Sequence, residues 1–178
     1  QRFGLISDSF AFNLFSVTWK WTFMTENRLA LVADKHDIEI LQRLYAKATD
    51  LVGLGTQDSF EEGRRIYHRI YTKDVDIRTA NTGDVPLTAR GPDAWADICR
   101  TALNDYIGTQ HLIGTQLTEV EGDEAKMESY LNAWHKNPDL TVYYFLGTYI
   151  SKVKRTPEGW KIYDMTLRLD TSGTVQTS

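Results

Sequence analysis

Four strand-like runs follow one another after Gly108, and they constrain the fold more than any other feature of the chain. The runs are His111–Val120, Ala125–Lys136, Thr141–Lys154 and Trp160–Leu169. In each run apolar residues alternate with polar ones, and short turns separate the runs, which is typical of antiparallel strands paired in sequence order. The apolar phase shifts by one residue within the fourth run, which predicts a β-bulge near Tyr163 or Asp164.

Helical patterns precede these strands. Apolar residues recur at three- and four-residue steps from Asp37 to about Leu51, and Gly53 ends the pattern. A second helix is predicted over Ser59–Tyr71, with a capping-box spacing at its start. A third is predicted over Gly91–Leu103, because a proline stands in its first turn and its apolar residues share one face.

The remaining segments are one further strand, one turn and a polar tail. Val75–Thr79 alternates weakly and precedes a turn-rich loop at 81–84, while residues 171–178 are small and polar and are expected to be loose. Helices followed by an antiparallel meander predict an α+β fold. We expect a curved antiparallel sheet packed on about three helices, with a conical pocket between them.

Charge and motifs exclude several classes of function. The 178 residues carry a net charge of -4 without a block of Lys or Arg, so no nucleic-acid partner is expected. The lone cysteine, Cys99, cannot form an intrachain disulfide, which fits a reducing compartment. Phosphate-loop, dinucleotide-binding, zincin, redox and hydrolase-elbow motifs are missing from the sequence.

Residues 1–23 differ from the rest of the chain. They are aromatic and apolar, but Asn13 and Lys20 interrupt them, so we expect neither a membrane span nor a secretory signal. The segment from Met24 resembles an ordinary cytoplasmic start. We therefore expect 1–23 to be a loosely ordered extension, 24–178 to form one domain, and the protein to be cytoplasmic with no membrane partner.

Two histidines are candidates for chemistry. His111 opens the first strand-like run and shares a face with Ile113, Thr115 and Leu117 in a regular strand, so its ring is directed toward a core or a pocket. His135 ends the more apolar face of the second run. Either histidine alone is more often a buried structural residue. Two that face inward from neighbouring strands favour a functional site.

These segments resemble a known family. Gly108–Gly114 is similar to the strand that carries the catalytic histidine in the scytalone dehydratase and SnoaL-like branch of the nuclear transport factor two-like superfamily. Asp37–Asp50 resembles the first helix of that branch, whose last aspartate pairs with the histidine. His135 stands where scytalone dehydratases have a second histidine, and Thr148–Ile162 resembles their closing hairpin. The resemblance covers about residues 31–170.

The resemblance implies a cofactor-free lyase that performs a dehydratase-type elimination on a small hydrophobic cyclic or polyketide-like substrate. It assigns Asp50, His111 and His135 as catalytic: Asp50 orients His111 as base, and His135 acts as acid or binds a carbonyl oxygen. Substrate-binding residues are then expected at Tyr45, Thr49, Thr79, Met127, Leu131, Tyr149 and Arg168. Because threonines replace the two tyrosines that hold a water in scytalone dehydratases, scytalone itself is not the expected substrate.

Alternatives remain open at this point. An isomerase or cyclase needs the same proton removal, and a non-catalytic binding module needs only the pocket. Asp50 lies about 140° around the helix from Tyr45, so either the helix end directs its carboxylate to His111 or it faces water. A two-histidine, one-carboxylate iron site lacks short ligand spacing, and no metal or cofactor is expected. Sheets of this family associate through the exposed face, which implies a homo-oligomer, a dimer or trimer.

Overall fold

The computed structural model describes residues 11–80 and 86–177, with side chains described from residue 27 onward apart from the same internal gap. The chain divides into two compact units, 1–34 and 35–178. The first contains helical backbone from Ala11. The second contains the rest of that helix, the other helices, the sheet and every residue of the candidate site.

Three helices and six strands are present in the described residues. Their bounds are α1 Ala11–Gly53, α2 Gln57–Ile70, β1 Tyr71–Ala80, β2 Thr88–Arg90, α3 Pro92–Leu103, β3 Gly108–Glu121, β4 Glu124–Lys136, β5 Thr141–Thr156 and β6 Gly159–Gln176. The sheet order is β2-β1-β6-β5-β4-β3. Neighbouring strands are antiparallel except β1 and β6, which are parallel. The expected α+β fold is confirmed, with a curved, unclosed and mixed sheet.

Bulges decide which side chains face the helices. The predicted bulge in β6 is confirmed, because Lys152 pairs with Asp164 and Val153 with Ile162, which leaves Tyr163 unpaired. A second bulge at Gly114 and Thr115 was not predicted. It moves the inward phase of β3 to the even positions, so Leu117 is 63% exposed. The expectation that Leu117 shares the inner face with His111 is therefore wrong.

Two element boundaries also differ from the prediction. Helix α1 begins at Ala11 rather than Asp37, although it ends at Gly53 as expected. Thr56, not Ser59, caps α2, since the Thr56 hydroxyl accepts a hydrogen bond from the Ser59 backbone N–H. Residues 1–10 and the turn at 81–84 lie outside the described residues, and the packing of residues 11–23 stays a prediction.

The polar tail was expected to be loose, and this expectation is wrong for residues 171–176. They continue β6 and pair with the first half of β5, from Thr141 to Leu146. A further register shift at Asp170 joins this part to the rest of the ladder. Gly173 lies under the ring of Tyr144, where a side chain would meet the Tyr144 hydroxyl at 2.8 Å. Pairing with a long neighbouring strand thus outweighs the polar composition of the tail.

Four buried tyrosines form the centre of the core between α1, α2 and the sheet. They are Tyr45, Tyr67, Tyr71 and Tyr149, each at most 2% exposed. The ring centroid of Tyr45 is 5.8 Å from that of Tyr67 and 5.1 Å from that of Tyr149. Helix α2 approaches α1 closely at Gly63, where an added Cβ would lie 2.7 Å from the Ala48 carbonyl oxygen.

We predict that Gly63→Ala destabilises the protein. Alanine ordinarily stabilises a helix relative to glycine, but here its methyl group would collide with the backbone of α1 and push the two helices apart. We expect the free energy of unfolding to fall by about 1–3 kcal/mol, measured by chemical denaturation. Arg69→Ala, an exposed position on the same helix, should change it by no more than about 0.5 kcal/mol. A more stable Gly63→Ala variant would contradict the close packing.

Candidate active site

The end of α1 meets the beginning of β3 through a carboxylate and an imidazole. Asp50 Oδ1 lies 2.7 Å from His111 Nδ1, and the His111 backbone N–H donates to Asp50 Oδ2 at 3.3 Å. A carboxylate can only accept, so Nδ1 carries a proton, and in the neutral ring Nε2 keeps its lone pair. Within the described residues Nε2 has no hydrogen-bond partner. The ring is thus fixed in the tautomer in which Nε2 can accept a proton.

The curvature of the sheet explains how Asp50 reaches His111 although it lies well around the helix from Tyr45. Tyr45 contacts Tyr149 on the inner strand β5, while Asp50 contacts β3 at the edge of the sheet. A sheet that wraps around α1 meets both sides of the helix. The alternative in which Asp50 only faces water is therefore wrong, although 25% of its side chain remains exposed.

The strand β3 approaches the end of α1 closely, and this approach supports the contact between Asp50 and His111. The Thr109 hydroxyl donates to Asp50 Oδ1 at 3.4 Å. An added Cβ at Gly53 would lie 2.7 Å from that hydroxyl, so a larger residue at the end of α1 would push Thr109 aside. Glycine at this position lets β3 approach the last turn of the helix, and Gly55, two residues later, has the left-handed backbone (φ 74°) that is common after a helix end.

His135 lies beside His111 in a drier environment. Its ring is perpendicular to that of His111, with 5.4 Å between the centroids, and the residue is 7% exposed. Burial, and to a smaller extent the nearby His111, lower the pKa of His135 from 6.5 to about 4. At neutral pH His135 is therefore uncharged.

A cavity of about 160 Å³ lies between the sheet and the helices, and both histidines line it. Of the expected substrate-binding residues, Tyr45, Thr49, Thr79, Leu131 and Tyr149 also line it. No Asp, Glu, Lys or Arg is among the described residues of its wall. The cavity is thus an uncharged space that contains the imidazole of His111, while Asp50 stays behind that ring and borders a separate surface cleft.

Two expected substrate-binding residues lie away from the cavity. Met127 is buried in the core at 1% exposure, where its Sδ accepts from Gln116. Arg168 is exposed, donates to Asp170 and Thr148, and borders a different surface hollow. Both assignments disagree with the structure. The sequence did not determine the side of Arg168, because that side depends on the position of the β6 bulge. In the structure the bulge at Tyr163 turns Arg168 away from the inner face.

Helix α3 supplies a wall of the cavity that sequence reasoning did not assign to the site. Its contributing residues are Trp95, Ile98, Cys99, Ala102 and Leu103. The signal was present as the apolar face of the predicted third helix, but periodicity alone does not distinguish a pocket wall from ordinary core. Leu87, Phe145 and Leu167 complete the apolar lining. Burial raises the pKa of the Cys99 thiol to about 12, so it is not a nucleophile near neutral pH.

The described residues contain no group of three or more His, Cys, Asp or Glu side chains placed to hold a metal ion. No helix in the same part of the chain is long and apolar enough to cross a membrane.

We predict that His135 makes stability depend on pH. As the pH falls below about 6.5, the unfolded chain takes up a proton at this residue, whereas the folded protein does so only near the pKa of about 4. The free energy of unfolding therefore falls across this window, by up to about 1.4 kcal/mol per pH unit. His135→Gln should reduce this slope, measured by denaturation at several pH values. His36→Gln, at an exposed position, serves as the control, and equal slopes in wild type and His135→Gln would contradict the prediction.

Solved structures share this fold at low sequence identity. Kfla4162 from Kribbella flavida is 21% identical with a TM-score of 0.67, over 80% of this chain and 95% of that one. A protein of Novosphingobium aromaticivorans with a provisional assignment as scytalone dehydratase is 19% identical with a TM-score of 0.64, over 86% and 93%. Hexachlorocyclohexane dehydrochlorinase LinA-type3 from Novosphingobium barchaimii is 14% identical with a TM-score of 0.65, over 86% and 98%. These similarities establish the fold.

The family is established by sequence. No curated protein matches the chain, but a family model described as the SnoaL-like domain matches residues 30–166. The match covers α1 from Ala30, all of α2 and α3, and the sheet as far as the middle of β6. The chain therefore belongs to the SnoaL-like domain family.

Proposed function

We propose that the protein is a lyase that removes a proton and a leaving group from a small neutral cyclic substrate without a cofactor. The observation that carries the proposal is the contact between Asp50 and His111, with His111 Nε2 unpartnered in a residue that lines the cavity. Fold relatives that are described as a scytalone dehydratase and a dehydrochlorinase support this class of reaction.

His111 acts as the base in this proposal. A neutral imidazole is suited to proton removal near pH 7, and a carboxylate on its other nitrogen stabilises the imidazolium that forms. Such a base contributes typically 10²–10⁴-fold, which corresponds to about 3–5 kcal/mol of barrier. This is sufficient to activate a C–H bond next to a carbonyl group.

His135 binds the carbonyl oxygen rather than acting as the acid. With a pKa of about 4 it has no acidic proton to give at neutral pH, but a neutral imidazole still donates one N–H hydrogen bond. Such a bond stabilises the negative charge that develops on the oxygen when the neighbouring carbon is deprotonated. The pKa therefore favours one of the two roles that the sequence left open for this residue.

His111 alone can carry the proton through the whole elimination, from the carbon to the departing hydroxyl group. His111 Nε2 removes a proton from the carbon next to the carbonyl group, and the electron pair forms an enolate. The enolate then forms the C=C bond and expels the hydroxyl group on the next carbon, which takes the proton back from the imidazolium. Water and an unsaturated carbonyl compound leave, and the histidine returns to its starting state.

The cavity has room for about one ring of a substrate. An engineered cavity of about 150 Å³ holds a molecule of the size of benzene, and the cavity here measures about 160 Å³. A charged substrate would lose its hydration without gaining a charged partner in the described wall. A neutral monocyclic compound therefore fits better than a multi-ring polyketide.

We predict that His111→Gln slows proton removal by about 10²–10⁴-fold without unfolding the protein. The probe is cyclohexanone in D₂O, whose exchange at the carbon next to the carbonyl group is followed by NMR. Asp50→Asn should also slow exchange, because an amide can donate to Nδ1 and stabilise the wrong tautomer. His36→Gln should behave like the wild type. Undiminished exchange in His111→Gln would rule out His111 as the base.

A second probe separates elimination from the alternatives. Wild-type protein should convert 3-hydroxycyclohexanone to cyclohexenone and water, which is followed by absorbance. Exchange of cyclohexanone without loss of water from 3-hydroxycyclohexanone would support an isomerase or cyclase. Binding of cyclohexanone without exchange would support a non-catalytic binding module.

We also propose that a second copy of the chain covers the outer face of the sheet. Apolar side chains on β3, β4 and β5 are exposed on the face opposite His135: Leu112, Tyr130, Trp134 and Ile150. Exposed apolar groups of this size on adjoining strands are typical of an association surface. The cytoplasmic location, in contrast, stays a prediction from the sequence.

We predict a mass of two or three times the 20.4 kDa of one chain in sedimentation equilibrium. Tyr130→Lys should shift the protein toward the monomer, because it places a charge in the apolar surface. Asp58→Asn changes the net charge by the same amount on the exposed side of α2 and should leave the mass unchanged. A wild-type monomer at high concentration would contradict the proposal.

A further inference from the structure

The cavity meets solvent at a mouth, and the exposure of its wall residues locates that mouth. Of the described residues that line the cavity, only Leu87 and Ala102 are exposed, Leu87 to 43%. Ile98, one helical turn before Ala102 on α3, is half-buried. Most of the other wall residues, His135 among them, are buried. The mouth therefore lies between Leu87 and the last turns of α3.

Leu87 is held at this mouth by Thr79 on β1. The Leu87 backbone N–H donates to Thr79 Oγ1 at 2.9 Å, and the Thr79 backbone N–H donates to the Leu87 carbonyl oxygen at 2.9 Å. Thr79 is 6% exposed and lines the cavity itself. Because both hydrogen bonds join Leu87 to a buried residue of the sheet, the position of Leu87 at the mouth is fixed by the fold.

A surface hollow of about 380 Å³ adjoins the mouth on its outer side. It shares Leu87, Ile98 and Ala102 with the cavity, and its other described wall residues are Asp97 and Thr101. The Thr101 hydroxyl donates to the Asp97 backbone carbonyl at 3.0 Å, so its one proton is already used within the helix. The hollow therefore offers a mainly apolar surface with a single carboxylate among its described residues.

The chemistry of the hollow selects what can occupy it. The cavity of about 160 Å³ has room for about one ring, so any larger ligand must extend through the mouth. An apolar group there would cover Leu87 and Ala102, and the burial of apolar surface on both partners is favourable. A group that ends in a carboxylate would instead approach the like charge of Asp97. The hollow thus fits a neutral alkyl chain.

We propose that the substrate is a single ring with a neutral alkyl substituent, whose chain passes between Leu87 and Ala102 and lies in the hollow outside. This inference rests on the proposed function for the ring, which places the carbonyl group at His135 inside the cavity. It assigns Leu87, Ile98 and Ala102 as the residues that determine specificity for the chain. A ring without a chain occupies only the inner part of the site.

The test measures how affinity depends on the length of the chain. The probes are cyclohexanone and its 4-methyl, 4-ethyl and 4-butyl derivatives, with the matching 3-alkyl series because either ring position can be directed at the mouth. Their dissociation constants are measured by calorimetry, and the chain gain is the ratio of the value for cyclohexanone to the value for the butyl compound. In one series affinity should rise about two- to fourfold per methylene, where fourfold corresponds to full burial. Affinity that stays constant or falls with chain length in both series would overturn the inference.

Ala102→Phe narrows the mouth and fills part of the hollow, so it should reduce the chain gain by about fivefold or more. Ala94→Phe is the matched control, because Ala94 is an exposed residue of α3 that lines neither space, and it should leave the chain gain unchanged. Thr101→Asp is the second variant if Ala102→Phe folds poorly or no longer binds cyclohexanone. It adds a carboxylate beside Asp97 that the chain would have to dehydrate, so it should also reduce the chain gain. An unchanged chain gain in both Ala102→Phe and Thr101→Asp, or an equal loss in Ala94→Phe, would overturn the inference.

Binding of the chain and proton removal fail separately in these measurements. His111→Gln should keep the chain gain while proton exchange is lost. If His111→Gln keeps full exchange but Ala102→Phe loses the chain gain, the lyase proposal fails and the site for the alkyl chain stands. If exchange depends on His111 but the chain gain does not depend on Ala102 or Thr101, the lyase proposal stands and the site for the alkyl chain fails.

Discussion

The contact between Asp50 and His111 is the interaction on which the rest of the account depends. It joins the last turn of α1 to an edge strand, and it fixes both the position and the tautomer of the imidazole. Gly53 makes the approach possible because a side chain there would displace Thr109. The end of one helix therefore determines which nitrogen of His111 is free to react.

The two histidines illustrate how environment separates the roles of identical side chains. His111 has a carboxylate partner on Nδ1, which holds the neutral ring in the tautomer whose Nε2 can accept a proton. His135 has lost hydration without gaining a charged partner of its own, and its pKa falls to about 4. In the proposed reaction one ring takes the proton while the other remains neutral and binds oxygen.

The local pattern of apolar and polar residues predicted part of this structure. Periodicity identified the three helices and the four strands after Gly108, and the phase shift in the last run located the bulge at Tyr163. The parallel pairing of β1 with β6, the short β2 and the strand formed by residues 171–176 depend on distant partners. Their own residues are too few or too polar to indicate a strand, so the sequence did not predict them.

The candidate site was only partly accessible from sequence. Residue spacing alone placed Asp50 off the apolar face of α1, and the resemblance to the family, rather than periodicity, suggested its pairing with His111. The α3 wall was visible only as an apolar helix face, and the position of Arg168 depended on a bulge whose exact register the pattern did not give. A cavity forms where packed helices and strands leave space between them, and the local sequence pattern does not indicate where this happens.

The pairing of Asp50 with His111 is tested most directly by the tautomer of the His111 ring, observed by two-bond ¹H–¹⁵N correlation NMR of the protein. Where the ring is neutral, its proton should be on Nδ1 and Nε2 should be bare, and this pattern should change in Asp50→Asn. A ring with its proton on Nε2, or a pattern that is identical in wild type and Asp50→Asn, would contradict the account.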